Sequence, residues 1–241
     1  MKSKLLLRIT LVAVLVSGCF SGTGMIAQGA EAIEGPADLH GAYNVAHSPY
    51  YVKHDYFNMK SHGSLVILSN FPTIQQTTEY SCGPAAAVMV LKYFNSNSKL
   101  KDRDLCPLMN TSNVKGTTTK GMLQYFTSDK WQVESCFTNK TPATDVEFKT
   151  FVLSHLKNNM PILVENIDWG GHWRIIIGYD DMKTSDTTDD VLILADPYDT
   201  TDHQQDGYGI ESAQRFYYMW FDAKLFPKEE QDRQWLSVKP R

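Results

Sequence analysis

The pattern of apolar and polar positions divides the chain into three stretches. Residues 1–8 carry Lys2, Lys4 and Arg8 with no acidic residue, and an apolar run, Leu5–Leu7 and then Ile9–Val16, surrounds the arginine. The run has about a dozen apolar residues, short of the roughly 20 needed for a permanent membrane helix, so a basic start followed by a short apolar core predicts an export signal over residues 1–18. Residues 19–60 hold Gly, Ala, Ser, Pro and scattered aromatics without a sustained period and read as a tether and N-terminal arm. From residue 61 to 241 the pattern becomes regular, as one domain requires.

Within that domain Ser64–Ser69 has a short β-like pattern. Cys82–Phe94 follows as a strong helix, with Ala85, Ala86, Val88, Met89, Leu91 and Tyr93 available for burial. Ser81 is the expected N-cap, Pro84 falls in the first turn where its missing N–H costs nothing, and Asn95–Asn97 ends the helix. Further helices are expected near Leu100–Met109, Lys120–Thr127 and Asp145–Lys157. The period then changes. Pro161–Glu165, His172–Tyr179 and Val191–Ala195 are short runs of branched and aromatic residues between Gly and Asp clusters, and Arg215–Phe221 reads as a further strand. Helices followed by consecutive strands, without strict alternation, imply α+β: a helical N-terminal half packed on an antiparallel sheet from the C-terminal half.

Composition changes this picture little. The 241 residues are 42% hydrophobic, 12% aromatic and 21% charged, which excludes a disordered or collagen-like chain. Formal net charge is −4, and loss of residues 1–18 removes three positive charges and no negative ones, leaving −7. No clustered basic face recommends nucleic acid as a partner. His40, His47, His54 and His62 are seven, seven and eight residues apart, a spacing that matches no compact metal motif; no metal or other cofactor is expected.

The four cysteines carry more information. Val16-Ser17-Gly18-Cys19 resembles a bacterial lipobox, which makes Cys19 a lipid attachment point and the membrane surface a partner; Ala30-Glu31-Ala32 is a competing signal-peptidase site. Either way the mature chain is extracytoplasmic. In an exported protein Cys106 and Cys136 could bridge, closing a loop of about 30 residues worth roughly 3 kcal/mol.

Cys82 stands at a helix start, where unpaired N–H groups and the macrodipole favour a thiolate. Gly83 beside it is expected to leave the sulfur open on one side. A nucleophilic thiol also needs a base, and His172, after Trp169-Gly170-Gly171 and opening an apolar strand, is the best candidate. Asp196, at the end of a strand and followed by Pro197, could accept the imidazole N–H. Gln76, six residues before Cys82, could join the Cys82 backbone N–H as an oxyanion donor; Gln75 is its neighbour and rival.

Together, Gln76-Thr-Thr-Glu-Tyr-Ser-Cys82-Gly-Pro, then Gly171-His172-Trp-Arg-Ile-Ile-Ile-Gly178-Tyr179, then Leu192-Ile-Leu-Ala-Asp196-Pro197 resemble the double-glycine leader peptidases, papain-like cysteine peptidases that process bacteriocin precursors. The resemblance covers residues 70–200. It implies Cys82 as nucleophile, His172 as general base, Asp196 as orienting acid and Gln76 as oxyanion donor, acting on a peptide or protein without a cofactor. Two departures stand out. The 24 residues from His172 to Asp196 exceed a short hairpin, which leaves Asp180 and Asp181 as rivals for the acid, and no transporter segment accompanies the domain. Two other readings share the pattern: a phytochelatin synthase-like acyl transferase and a catalytically silent peptide-binding module.

Overall fold

The longest apolar run of the second half, His172–Asp180, is the middle of a seven-stranded antiparallel sheet. A computed structural model of the chain describes residues 35–39 and 44–241; the expected signal over residues 1–18, Cys19, the alternative site at Ala30–Ala32 and His40 lie outside them. The elements run β1 (Leu65–Ile67), α1 (Cys82–Phe94), α2 (Asp102–Leu105), α3 (Thr119–Phe126), β2 (Trp131–Ser135), α4 (Asp145–Lys157), β3 (Ile162–Asn166), β4 (His172–Asp180), β5 (Val191–Ala195), β6 (Tyr208–Ser212), α5 (Ala213–Tyr218) and β7 (Trp235–Pro240).

The sheet order is β2-β7-β3-β4-β5-β6, with β1 also paired to β4. Two strands share one edge of β4: β3 along residues 172–176 and β1 along residues 178–180. Every β4 residue except Asp180 is buried, so both its faces are covered, and α1 and α4 both pack against it. The first ten residues of α1, Cys82–Leu91, are all buried, as befits a helix that is apolar on every side. Its three consecutive alanines, Ala85–Ala87, have no exposure at all and let the helix approach its neighbours closely.

The α+β architecture follows the pattern of the sequence, with corrections. Residues 215–221 do not form a strand; α5 takes them to Tyr218, and Phe221 makes only an isolated bridge with Asp232. Its aromatics favour strands by composition, but Ala213, Phe216, Tyr217 and Trp220 are buried at helical spacing, and the Ser212 hydroxyl caps the start by accepting from Arg215 N–H at 3.2 Å. The helix expected over 100–109 shortens to α2, and the N-terminal half contributes β1 and β2 to the sheet. Ser81 precedes α1 but does not cap it through its side chain. Its hydroxyl donates instead to the buried carboxylate of Asp102 at 2.7 Å, a charged acceptor that outcompetes a backbone N–H.

The described part of the N-terminal arm lies on the domain. Ala37 N–H donates to Gln76 O at 3.1 Å and Val45 N–H to His203 O at 2.8 Å.

Candidate active site

Sheet register builds one wall of a cleft. His172 pairs with Asn166 across β3 and β4, and Ala195 pairs with Ile175 across β4 and β5, which brings the residue after Ala195 back beside the start of β4. His172 Nε2 and Asp196 Oδ1 are 2.7 Å apart. The 24-residue interval is therefore a long hairpin: nine residues of β4, a polar turn, then β5. Tyr179 and Lys149 clasp that turn by bonding Asp190 at 2.5 and 3.2 Å. Asp180 sits at the far end of β4, eight residues or about 26 Å from His172 at strand rise, and Asp181 faces Lys149. Neither rival can reach the imidazole.

Asp196 is held by more than the histidine. Tyr198 N–H donates to the same Oδ1 at 2.7 Å, an Asx-turn two residues on. Burial works to raise its carboxyl, but the imidazole charge and hydrogen bond, Arg174 and the Tyr198 N–H outweigh burial and hold it below the ordinary value. Arg174 in turn is fixed by Asp168 at 2.9 Å and Glu211 at 3.0 Å. For His172 burial favours the neutral ring, yet Asp196 and then the Cys82 sulfur reverse this and raise it to about 9. The ring is thus an imidazolium at neutral pH, with Nε2 committed to Asp196 and Nδ1 left for Cys82.

The opposite wall is the start of α1 and the loop before it. Cys82 is the first helical residue, buried, and lines the cleft together with His172 and Gln76. The first N–H groups of a helix have no partner within it. Gln76 Nε2 donates to Thr78 O at 2.8 Å, which uses one of its two N–H groups. Gln75 does not line the cleft. Gly83 serves a purpose other than exposing the sulfur: a Cβ there would lie 2.9 Å from Thr117 Cβ. Glycine lets the loop before α3 close onto the helix, and Trp173 Nε1 pins that loop by donating to Thr117 O at 2.7 Å.

The rims are mixed, with Glu79, Asn113 and Lys115 beside apolar and aromatic residues. Val114, Trp169, Tyr198 and Leu225 surround a space of about 190 Å³. Trp169 is 67% exposed at φ 56°, left-handed backbone that a bulky residue rarely adopts, and its ring meets Tyr198 at 5.4 Å. Tyr198 also stands edge-on to His172 at 6.3 Å.

The expected Cys106–Cys136 bridge is not formed; both are free thiols. Cys106 ends α2, whereas Cys136 sits after β2 with its sulfur 3.5 Å from Gln234 Oε1. Sequence reasoning also passed over Asp102, whose one oxygen Oδ2 accepts from Thr77 N, Thr77 Oγ1 and Ser81 Oγ at 2.8, 2.8 and 2.7 Å. No local motif announces that role, because its partners lie more than twenty residues upstream.

Comparison with known proteins bears on the family and the fold. The model of the Peptidase_C39 like family matches residues 68–222. No curated protein matches the sequence significantly. Among solved structures, a C39-like peptidase described from Bacillus anthracis is 15% identical, with a TM-score of 0.50, over 74% of this chain and 99% of that one. The peptidase domain of Streptococcus ComA, a bi-functional ABC transporter of a quorum-sensing pathway, is 17% identical over 70% and 97%, with a TM-score of 0.46. The fold is that of the papain-like cysteine peptidases, and the chain belongs to the Peptidase_C39-like family.

Proposed function

We propose that the protein is an extracytoplasmic thiol peptidase that hydrolyses peptide bonds through Cys82, His172, Asp196 and Gln76. The observation that carries this reading is the 2.7 Å contact of His172 Nε2 with Asp196, made in a cleft that also contains Cys82 and Gln76. The Cys82 thiolate attacks the peptide carbonyl and forms a C–S bond. The carbonyl oxygen becomes an oxyanion, to which the Cys82 backbone N–H and the second N–H of Gln76 donate. His172 Nδ1 gives its proton to the leaving amine as the C–N bond breaks, leaving a thioester. Water then attacks the thioester, His172 takes one of its protons, the C–S bond breaks to return the thiolate, and the product leaves as the carboxylic acid, which gives its remaining proton to solvent.

In the same reading residues 1–18 export the protein and Cys19 carries the lipid that holds it at a membrane surface.

Iodoacetamide at neutral pH is expected to label Cys82 ahead of Cys106 and Cys136, and Cys82→Ala to abolish cleavage of a peptide library while thermal unfolding stays cooperative. Equal, slow labelling of all three thiols would overturn the reading. Peptides bound by both proteins and cleaved by neither would make the domain a binding module.

A further inference from the structure

Beneath the turn that presents His172 lies a polar cluster that the proposed chemistry does not use. Glu165, on β3, has no exposure, and neither of its carboxyl oxygens has a hydrogen-bond partner among the described residues. Asp222, in the segment after α5, is also buried; its Oδ1 accepts from Phe226 N–H at 3.0 Å, while Oδ2 is unpartnered. The two carboxyls face one small space. A methyl group at Gly171 would lie 2.8 Å from Asp222 Oδ2 and 2.9 Å from Glu165 Oε1, so glycine at 171 is what allows the pair to sit directly under the residue before His172.

Oxygens 2.8 and 2.9 Å from one point lie no more than 5.7 Å apart; two buried carboxyls that share a site disfavour double ionisation, and an ionised carboxylate without a donor is costly to bury. Of the two, Asp222 already has a backbone donor, which suits the acceptor, and Glu165 has none, which suits the acid. Burial, then Asp222, then Cys82 push the Glu165 carboxyl well above the usual range. The titratable groups acting on it are therefore Asp222 and, from the start of α1, Cys82; on β4, His172 faces the neighbouring Asn166.

We propose that Glu165 is a positioning residue for the Cys82–His172 couple: a neutral carboxylic acid that donates its proton toward Asp222, binds the two carboxyls into one unit, and so shields the Cys82 thiolate from negative charge beneath Gly171. The inference rests on the reading of Cys82 as nucleophile. It accounts for a fully buried glutamate in a strand whose other residues, Ile162, Leu163, Val164 and Asn166, carry no charge, and for the glycine that admits it.

The test uses the full chain, its Glu165→Gln, Glu165→Ala and Asp222→Asn variants, infrared spectra at neutral pH, and the pH dependence of iodoacetamide alkylation at Cys82. Wild type is expected to show, beside the band of Asp199, whose carboxyl burial pushes up to about 8, the C=O stretch of a second protonated carboxylic acid. Glu165→Gln loses that band and leaves the acid limb of alkylation in place, since no charge has been removed. Asp222→Asn keeps the band. Glu165→Ala leaves Asp222 without its acid partner and moves the acid limb up by about one pH unit, a shift that mere loss of packing would not cause and that glutamine at 165 rescues.

The proposal is overturned by absence of the second band in wild type, by its survival in Glu165→Gln, by its loss in Asp222→Asn, by a downward shift of the acid limb in Glu165→Gln, or by an unmoved limb in Glu165→Ala. If Cys82 in wild type reacts no faster than an ordinary thiol, the peptidase reading fails instead, and the infrared band still decides the state of Glu165.

Discussion

The two walls of the cleft are held by different means. On the sheet side, His172 and Asp196 are placed by backbone: β4 pairs with β3 and β5, and Asp196 N–H continues the ladder by donating to Gly207 O at 2.9 Å. On the helix side, Gln76–Ser81 is an irregular segment. It has three backbone ties to other segments, Gln76 to Pro197 and Ala37 and Thr77 to Gly35, and three further hydrogen bonds converge on the single oxygen Asp102 Oδ2. Register spreads the cost of a change over many bonds, whereas a single buried carboxylate concentrates it. The sheet wall should therefore fail chemically before it fails structurally, and the loop wall should do both together.

The sharpest division between the walls is chemical. Displacement of iodide from iodoacetamide occurs at a saturated carbon and builds no oxyanion, whereas peptide cleavage does. His172→Ala is expected to reduce peptide turnover by about 10⁴-fold and to slow Cys82 alkylation as well. Gln76→Ala should reduce turnover by about 10²- to 10³-fold, the usual loss for one oxyanion donor, and leave alkylation unchanged. Slower alkylation in Gln76→Ala would dissolve the distinction between the walls.

Next in size is a shift in pH dependence confined to the sheet wall. With His172 raised to about 9, the alkaline limb of peptide turnover should fall there, because the imidazolium supplies the proton of the leaving amine. Asp196→Asn removes the main influence opposing burial, so that limb should move to lower pH. The same pair links stability to pH. A histidine raised on folding stabilises fully below its unfolded value and loses that contribution as pH rises through about 9, so wild type should show a decline in Tm across this window that Asp196→Asn lacks.

The loop wall is probed by Asp102→Ala, which strands three donors around a buried site. It is expected to cost about 3 kcal/mol, or roughly 6–12 °C in Tm for a domain of this size, with turnover reduced in the protein that remains folded. A change in turnover without loss of stability would show that the segment is ordered by something other than this carboxylate.

The same contrast explains what could be read from the sequence. α1 and α4 have the bounds that their periodicity and end signals indicate, and the Gln76, Cys82, His172 and Asp196 set converges because each lies in or beside a regular element. β2, β6 and β7 were not legible: Trp-Gln-Val-Glu-Ser and Tyr-Gly-Ile-Glu-Ser alternate over only five residues, too few to distinguish from loop. α5 was misread because its aromatics favour strands while their spacing is helical. Asp102, Glu165 and Asp222 were invisible for a deeper reason. Each acts through partners brought close only by the fold, and nothing in the adjacent sequence marks a buried carboxyl as different from a solvated one.

The smallest effects are expected away from both walls, at the remaining thiols. Burial and then Asp102 push Cys106 up to about 11, and burial raises Cys136, so both should react slowly with iodoacetamide near neutrality. Cys106→Ser and Cys136→Ser should each cost about 1 kcal/mol and leave turnover unchanged. A bridge between them would instead be worth roughly 3 kcal/mol, so reductant would lower the Tm of wild type but not of either serine variant. With both thiols free, reductant should leave all three Tm values where they are, and unfolding curves recorded with and without it separate the two cases without any assay of activity.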